Sequence, residues 1–172
     1  EGNLRGMAYE YQSAKAAGET LFGDGQAAVD SFKVIEKDGR VVGLEIVQKK
    51  ERTIQAATQE MDQWLADMKN LVKGSDGAVK SDFIKLMESK DARLKGLDWS
   101  KINIKMWVDM PGETVEALTK LDPKFKKLVD DGVLHADKFT RAEMRALAQE
   151  IKTTKNFEQA VQESSRLQNL LT

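Results

Sequence analysis

Asp30 and Glu45 are the residues whose chemistry most needs an explanation. Each carboxylate falls in a run rich in β-formers, "AAVDSFKVIEK" (27–37) and "RVVGLEIVQKK" (40–50). The Asp38-Gly39 pair between these runs is a strong hairpin signal. Folding the runs about that turn brings the two acids partly opposite one another on adjacent strands. A carboxylate is expensive to bury alone, and two neighbours repel unless a proton or a cation separates them. Hard oxygen ligands suit Mg²⁺, Mn²⁺ or Ca²⁺. Lys49 shares a strand face with Glu45 and Val47 at the period of two, which offers a cation at the same place. The alternative is a hairpin with one solvated face, its acids paired weakly with Lys33 or Lys49.

The rest of the chain supplies the elements that would position this hairpin. Residues 3–17, "NLRGMAYEYQSAKAA", place Leu4, Met7 or Ala8, Tyr11 and Ala14 at helical spacing, and Gly18 can end the helix. "ETLFG" is a short extended piece. From Thr53 a long amphipathic helix follows, with Ile54, Ala57, Met61, Trp64, Leu65, Met68 and Leu71 on one stripe. Ser81 is placed to cap "DFIKLMESK". In "KINIKMWVDMPG" the period changes: Ile102, Ile104, Met106 and Val108 alternate with Asn103, Lys105, Trp107 and Asp109. A strand standing alone after a helix is expected to join the earlier sheet through a crossover. Beyond Pro111-Gly112 everything reads helical: Glu113–Leu121, a helix opening at Asp122-Pro123, and a last helix from the capping box Thr140-Arg-Ala-Glu143 toward Leu171. His135 falls on a loop or helix edge, and the tryptophans and methionines are expected in the core. No repeat or low-complexity segment interrupts this order.

Composition narrows the function classes. The 172 residues carry 27 basic and 28 acidic side chains, so any polyanion site must be a local patch. Four lysines in "TKLDPKFKK", Lys120, Lys124, Lys126 and Lys127, could form one by tracking phosphates, although a solvated helix face explains them equally. With no cysteine and a single histidine, zinc–thiolate sites, disulfides, two-histidine ribonuclease chemistry and HExxH motifs are excluded. No apolar run reaches the roughly 20 residues of a membrane span. The chain opens at Glu1 without a methionine or signal peptide and reads as a piece excised from a longer protein.

The pattern Gly6-x-x-x-Glu10 on an opening helix, then "VDSFKVIEKDGRVVGLEIVQKK", then a long helix and a strand, resembles the PD-(D/E)xK restriction-endonuclease-like superfamily over roughly residues 3–110. The resemblance implies an α/β fold with an αβββαβ core (1–112) and a helical C-terminal extension (113–172) packed on it. It makes Glu10 similar to the family's helical acid, Asp30 to the motif aspartate and Glu45 to the strand glutamate, with Mg²⁺ (or Mn²⁺) between acids and phosphate. The family's E-x-K lysine would fall at Val47, so Lys49 from the next pleat is the expected substitute, or a bulge brings Gln48 or Lys49 into place. The implied activity is metal-dependent hydrolysis of DNA or tRNA. The small size and the hairpin further resemble C-terminal toxin modules of polymorphic bacterial toxins, including contact-dependent growth inhibition systems. Such modules are delivered into the cytoplasm of a neighbouring bacterium and neutralised by a cognate immunity protein. The reading from a different class is a non-catalytic α/β interaction domain with surface acids on its hairpin.

Overall fold

A computed structural model describes residues 2–23 and 28–153. Its elements are α1 (Gly2–Ala17), β1 (Thr20–Leu21), β2 (Ser31–Lys37), β3 (Arg40–Lys49), α2 (Ile54–Val72), α3 (Ser81–Lys90), β4 (Asn103–Pro111), α4 (Gly112–Leu121), α5 (Pro123–Asp130), β5 (Leu134–Asp137) and α6 (Arg141–Thr153). The α/β class expected from the sequence is observed. The single sheet runs β1-β2-β3-β4-β5, antiparallel through β3 and parallel from β3 to β5. Among the described residues no helix is long and apolar enough to cross a membrane.

Local chemistry explains most boundaries. Gly18 ends α1 at φ 69°, and both Asp38 (φ 55°) and Gly39 (φ 74°) adopt the left-handed conformation of the hairpin turn whose twist suits antiparallel strands. Thr53 caps α2, its Oγ1 accepting from Ala56 N at 3.0 Å. Asp122 caps α5, which carries proline in its first turn. Thr140 Oγ1 accepts from Glu143 N at 3.0 Å, as the capping box requires. Ser81 instead forms the first turn of α3, with Lys80 at the cap position. The stretch of the last helix toward Leu171 lies outside the described residues.

The C-terminal third departs from the all-helical expectation. Leu134–Asp137 form β5, parallel to β4, so His135 is a strand residue rather than a loop or helix-edge one. Four residues hold too few periods to read as a strand, and only the exposed β4 edge selects that conformation. Gly112 lies against this strand: a Cβ there would stand 2.7 Å from the Asp137 carbonyl oxygen.

Strand parity gives the sheet two unlike faces. One presents Phe32, Val34, Leu44, Ile46, Ile104, Met106, Val108, Met110 and Leu134 to α2, α3, α4 and α5, and this is the main hydrophobic core. The α2 stripe contributes Ala57, Met61, Trp64, Met68 and Val72, while Ile54 stays exposed. The other face presents Ser31, Lys33, Glu45, Lys49, Lys105, Trp107, Asp109, His135 and Asp137. Across it Tyr9 and Ser13 of α1 meet the sheet. A face this polar is not held by hydrophobic transfer alone. Its hydrogen-bonding and ionic network must close.

Candidate functional site

The hairpin does not bring Asp30 and Glu45 together. A bulge at Ile35/Glu36 inserts an extra β3 residue: Lys37 pairs with Arg40 and Glu36 with Val41, but Ile35 pairs with Gly43. That single step gives Glu45 the partner Lys33 on β2, and Lys105 faces it on β4. Asp30 instead lies alongside Gln48. Its N–H donates to the Val47 carbonyl at 2.8 Å, and its carboxylate accepts the Lys49 N–H at 2.7 Å. The expected pairing of the two strand acids is therefore corrected: the bulge falls near the turn, and the ladder from Glu45 to Lys49 is regular.

Lys49 is also placed differently from the expectation that it serves as a reactive lysine. Its side chain is fully buried on the α1 face and touches Ser13 Oγ at 2.6 Å, Glu19 Oε1 at 2.8 Å and Asp109 Oδ2 at 3.0 Å. Tyr9 Oη donates to Asp109 Oδ1 at 2.9 Å, and Ser13 Oγ contacts both Asp109 and Asp137. Burial works against the charge on Lys49, but Asp109 and Glu19 outweigh it and its pKa is raised. Burial pushes Asp109 up to about 6, with Lys49 pulling it back and Asp137 adding to the rise. Tyr9 is raised well above its ordinary value, first by burial and then by Asp109. These groups join α1, β3, β4 and β5 into one satisfied cluster.

A different candidate set lies on the opposite face of β3. Gln48 and Lys50 are two residues apart on β3 and its extension, so they share a face and carry the spacing of the acid-x-lysine motif. Lys50 stays extended because its N–H donates to the Asp109 carbonyl at 2.8 Å. Gln48 is buried, Asp30 is 8% exposed and Lys50 is half-buried. The Lys50 ammonium stands 5.0 Å from the centroid of the Trp64 ring on α2. Burial lowers its pKa, and the carboxylates of Asp30, Glu10 and Glu60 partly restore it against Arg52. Asp30, Gln48 and Lys50 thus lie at the C-terminal end of β3, and Glu10 of α1 is near enough to act on the Lys50 charge. Next to them Glu51, its side chain 1% exposed, is gripped by Arg5 of α1 at 2.6 Å and Arg141 of α6 at 2.5 Å.

Among the described residues no group of three or more His, Cys, Asp or Glu side chains is arranged to hold a metal ion. The set at the end of β3 is two carboxylates and a carboxamide, oxygen donors that suit a hard divalent cation rather than zinc or copper. The four lysines expected to track phosphates are each matched by an acid: Lys120 with Glu116, Lys124 with Asp62, Lys126 with Asp130 and Lys127 with Asp131. They form a charge-compensated helix face. The sequence reading did not select Lys50 as a candidate, although the Gln48-x-Lys50 spacing was visible. It also missed the Tyr9–Ser13–Glu19–Asp109–Asp137 cluster, whose only sequence signal was Asp109 closing an apolar strand. No family model, curated protein or solved structure matches the chain.

Proposed function

We propose that the chain is a metal-dependent endonuclease, with Glu10, Asp30, Gln48 and Lys50 as its site. The observation that carries this reading is the position of Asp30, hydrogen-bonded to Val47 and Lys49 on either side of Gln48, with Lys50 two residues on. An acid, an oxygen donor and a lysine thereby come with the motif's spacing, on the sheet face opposite to the Glu45 and Lys49 expected from the sequence. The element order α1-β1-β2-β3-α2-β4 supports the finer reading of a restriction-endonuclease-like core, with α3 and two short 3₁₀ turns inserted before β4.

Glu10, Asp30 and the Gln48 amide oxygen would hold Mg²⁺ or Mn²⁺, which when bound supplies a Lewis acid for the phosphoryl oxygen and a more acidic water. The protein's own contribution is positional. The Lys49 N–H fixes the Asp30 carboxylate, and Gln48 is held inside the ladder, so neither must be ordered on substrate binding. Lys50 is held by the Trp64 ring and stripped of part of its hydration. Its charge is therefore better placed to stabilise the negative charge that builds on phosphate. Glu45 and Lys49 have no part in this step.

The test is cleavage of plasmid DNA and total tRNA by the purified chain, with Mg²⁺ or Mn²⁺ and with EDTA. Cleavage should need the metal and fall by about 10²–10³ in Lys50→Ala, and Asp30→Asn should abolish it. Wild-type cleavage in both variants would overturn the site. No cleavage by the wild type, with no rise in melting temperature on adding metal, would favour the interaction-domain reading. We extend the proposal to a toxin module acting in the cytoplasm of a target bacterium and held in check by an acidic immunity protein. Growth arrest on expression of the wild type, absent in Asp30→Asn, is the expected result.

A further inference from the structure

On the α1 face lies a second place with the makings of a binding site. A cleft of about 460 Å³ opens between α1 and the sheet, lined by Glu45, Lys33, Trp107, His135 and Lys138, with the small side chains of Ala16 and Ala17 along its α1 wall. That volume suits a small organic ligand. Trp107 and His135 stack inside it, with centroids 4.2 Å apart and planes 10° from parallel. His135 Nε2 lies 3.0 Å from the Gly132 carbonyl, which locks the ring orientation, and burial lowers its pKa so that the ring is neutral at neutral pH.

Most of the cleft's carboxylates already have partners. Asp109 accepts from Tyr9 and Lys49, Glu19 from Lys49 and Ser31, and Asp137 from the Phe139 N–H, while the one Ser13 hydroxyl proton lies between Asp109 and Asp137 and serves one of them at a time. Glu45, on the sheet between Lys33 and Lys105, makes no hydrogen bond or ion pair among the described residues. Lys33 and Lys138 are exposed at the rim. The cleft therefore offers a ligand the His135 ring backed by the buried Trp107, one carboxylate and two rim ammonium groups, that of Lys33 donating to the Ala17 carbonyl at 3.3 Å. A planar, anionic molecule with two adjacent N–H donors on its edge matches all three.

We propose that this cleft binds a guanine nucleotide, the base stacking on the Trp107–His135 pair, its N1–H and N2 amine donating to Glu45, and its phosphate meeting Lys33 and Lys138. Guanine places two donors side by side and so can use both oxygens of one carboxylate. Adenine, cytosine and uracil interleave donors with acceptors on that edge and cannot. The nucleotide could be free or one unpaired residue of a single strand, since bases splayed from a strand are read by the same stacking and edge contacts. The site is independent of the hydrolytic one and needs no metal.

Calorimetric titration of the full chain in EDTA tests it, using guanosine 5′-monophosphate, adenosine 5′-monophosphate, and 8-mers of oligo-uridine with and without one central guanosine. Guanosine monophosphate should bind in EDTA, with adenosine monophosphate at least tenfold weaker. His135→Ala should weaken binding about tenfold through loss of stacking, and Glu45→Gln should abolish the guanine preference. Equal affinity for guanosine monophosphate and the guanosine 8-mer identifies the free nucleotide as the ligand, and a tenfold tighter 8-mer identifies the strand. No binding by a chain with native circular dichroism, or guanine binding undisturbed in both variants, would overturn the site. Nuclease activity is measured separately, so its absence leaves this outcome intact.

Discussion

Replacing Lys49 by methionine separates a structural lysine from a catalytic one. Methionine keeps most of the side-chain volume and removes the charge, leaving Glu19 and Asp109 buried together without the cation that joins them. The Lys49 side chain is 0% exposed, and those of its partners are 5% and 10% exposed, so solvent does little to screen the loss. Breaking one partner from a buried ionic group costs about 3–5 kcal/mol, a large share of the roughly 5–15 kcal/mol that holds a domain together. With a urea m-value of about 2 kcal/mol/M, the unfolding midpoint at pH 7.5 should drop by about 2 M.

The deficit should also depend on pH. Asp109 titrates at about 6 in the native state against 3.8 when unfolded. Its stabilising protonation is therefore complete below pH 3.8 and lost as pH rises through 6. For the wild type this returns about 1.4 kcal/mol between pH 7 and pH 5. Lys49 is the charge that lowers Asp109, so in Lys49→Met the native pKa climbs further and acidification recovers more. Equilibrium urea unfolding at pH 7.5 and pH 5 measures both quantities. A deficit under 1 kcal/mol at pH 7.5, or one of equal size at both values, would refute the role assigned to the cluster. Wild-type stability with lost cleavage would return Lys49 to the catalytic set.

Other perturbations probe the parts around this cluster. Gly112→Ala places a methyl group against the Asp137 carbonyl, so β5 must shift; a loss of about 1–3 kcal/mol is expected by thermal unfolding. Glu51→Gln removes the charge shared by Arg5 and Arg141; hydrogen exchange should accelerate in α6 before it does in β3. Asp122→Ala removes the α5 cap on Lys124 N, at a cost of about 1 kcal/mol in urea unfolding.

How much of this was legible beforehand follows from the range of the forces involved. Hairpin turn, helix caps and the period-two strand at 103–111 are written in neighbouring residues, because left-handed φ values, capping oxygens and alternation act over a few positions. The α/β class followed from them. Asp30 was legible as a candidate acid from its place near the start of a β-rich run, and Glu10, midway along α1, only through the family resemblance. The partners of those charges were not. One extra residue at the β2–β3 bulge moved Glu45 opposite Lys33 and set Asp30 alongside Gln48. No local signal in 40–43 marks where that residue will be accommodated. Likewise Lys49 and Lys50 are adjacent in sequence and opposite in fate: pleating sends one into the Glu19–Asp109 cluster and the other over Trp64. The β5 strand had no period to announce it and exists because the β4 edge offers it hydrogen bonds. Local geometry belonged to the sequence, and which charge meets which belonged to the tertiary structure, since electrostatic partners are chosen by register and packing across separations of 100 and 124 residues.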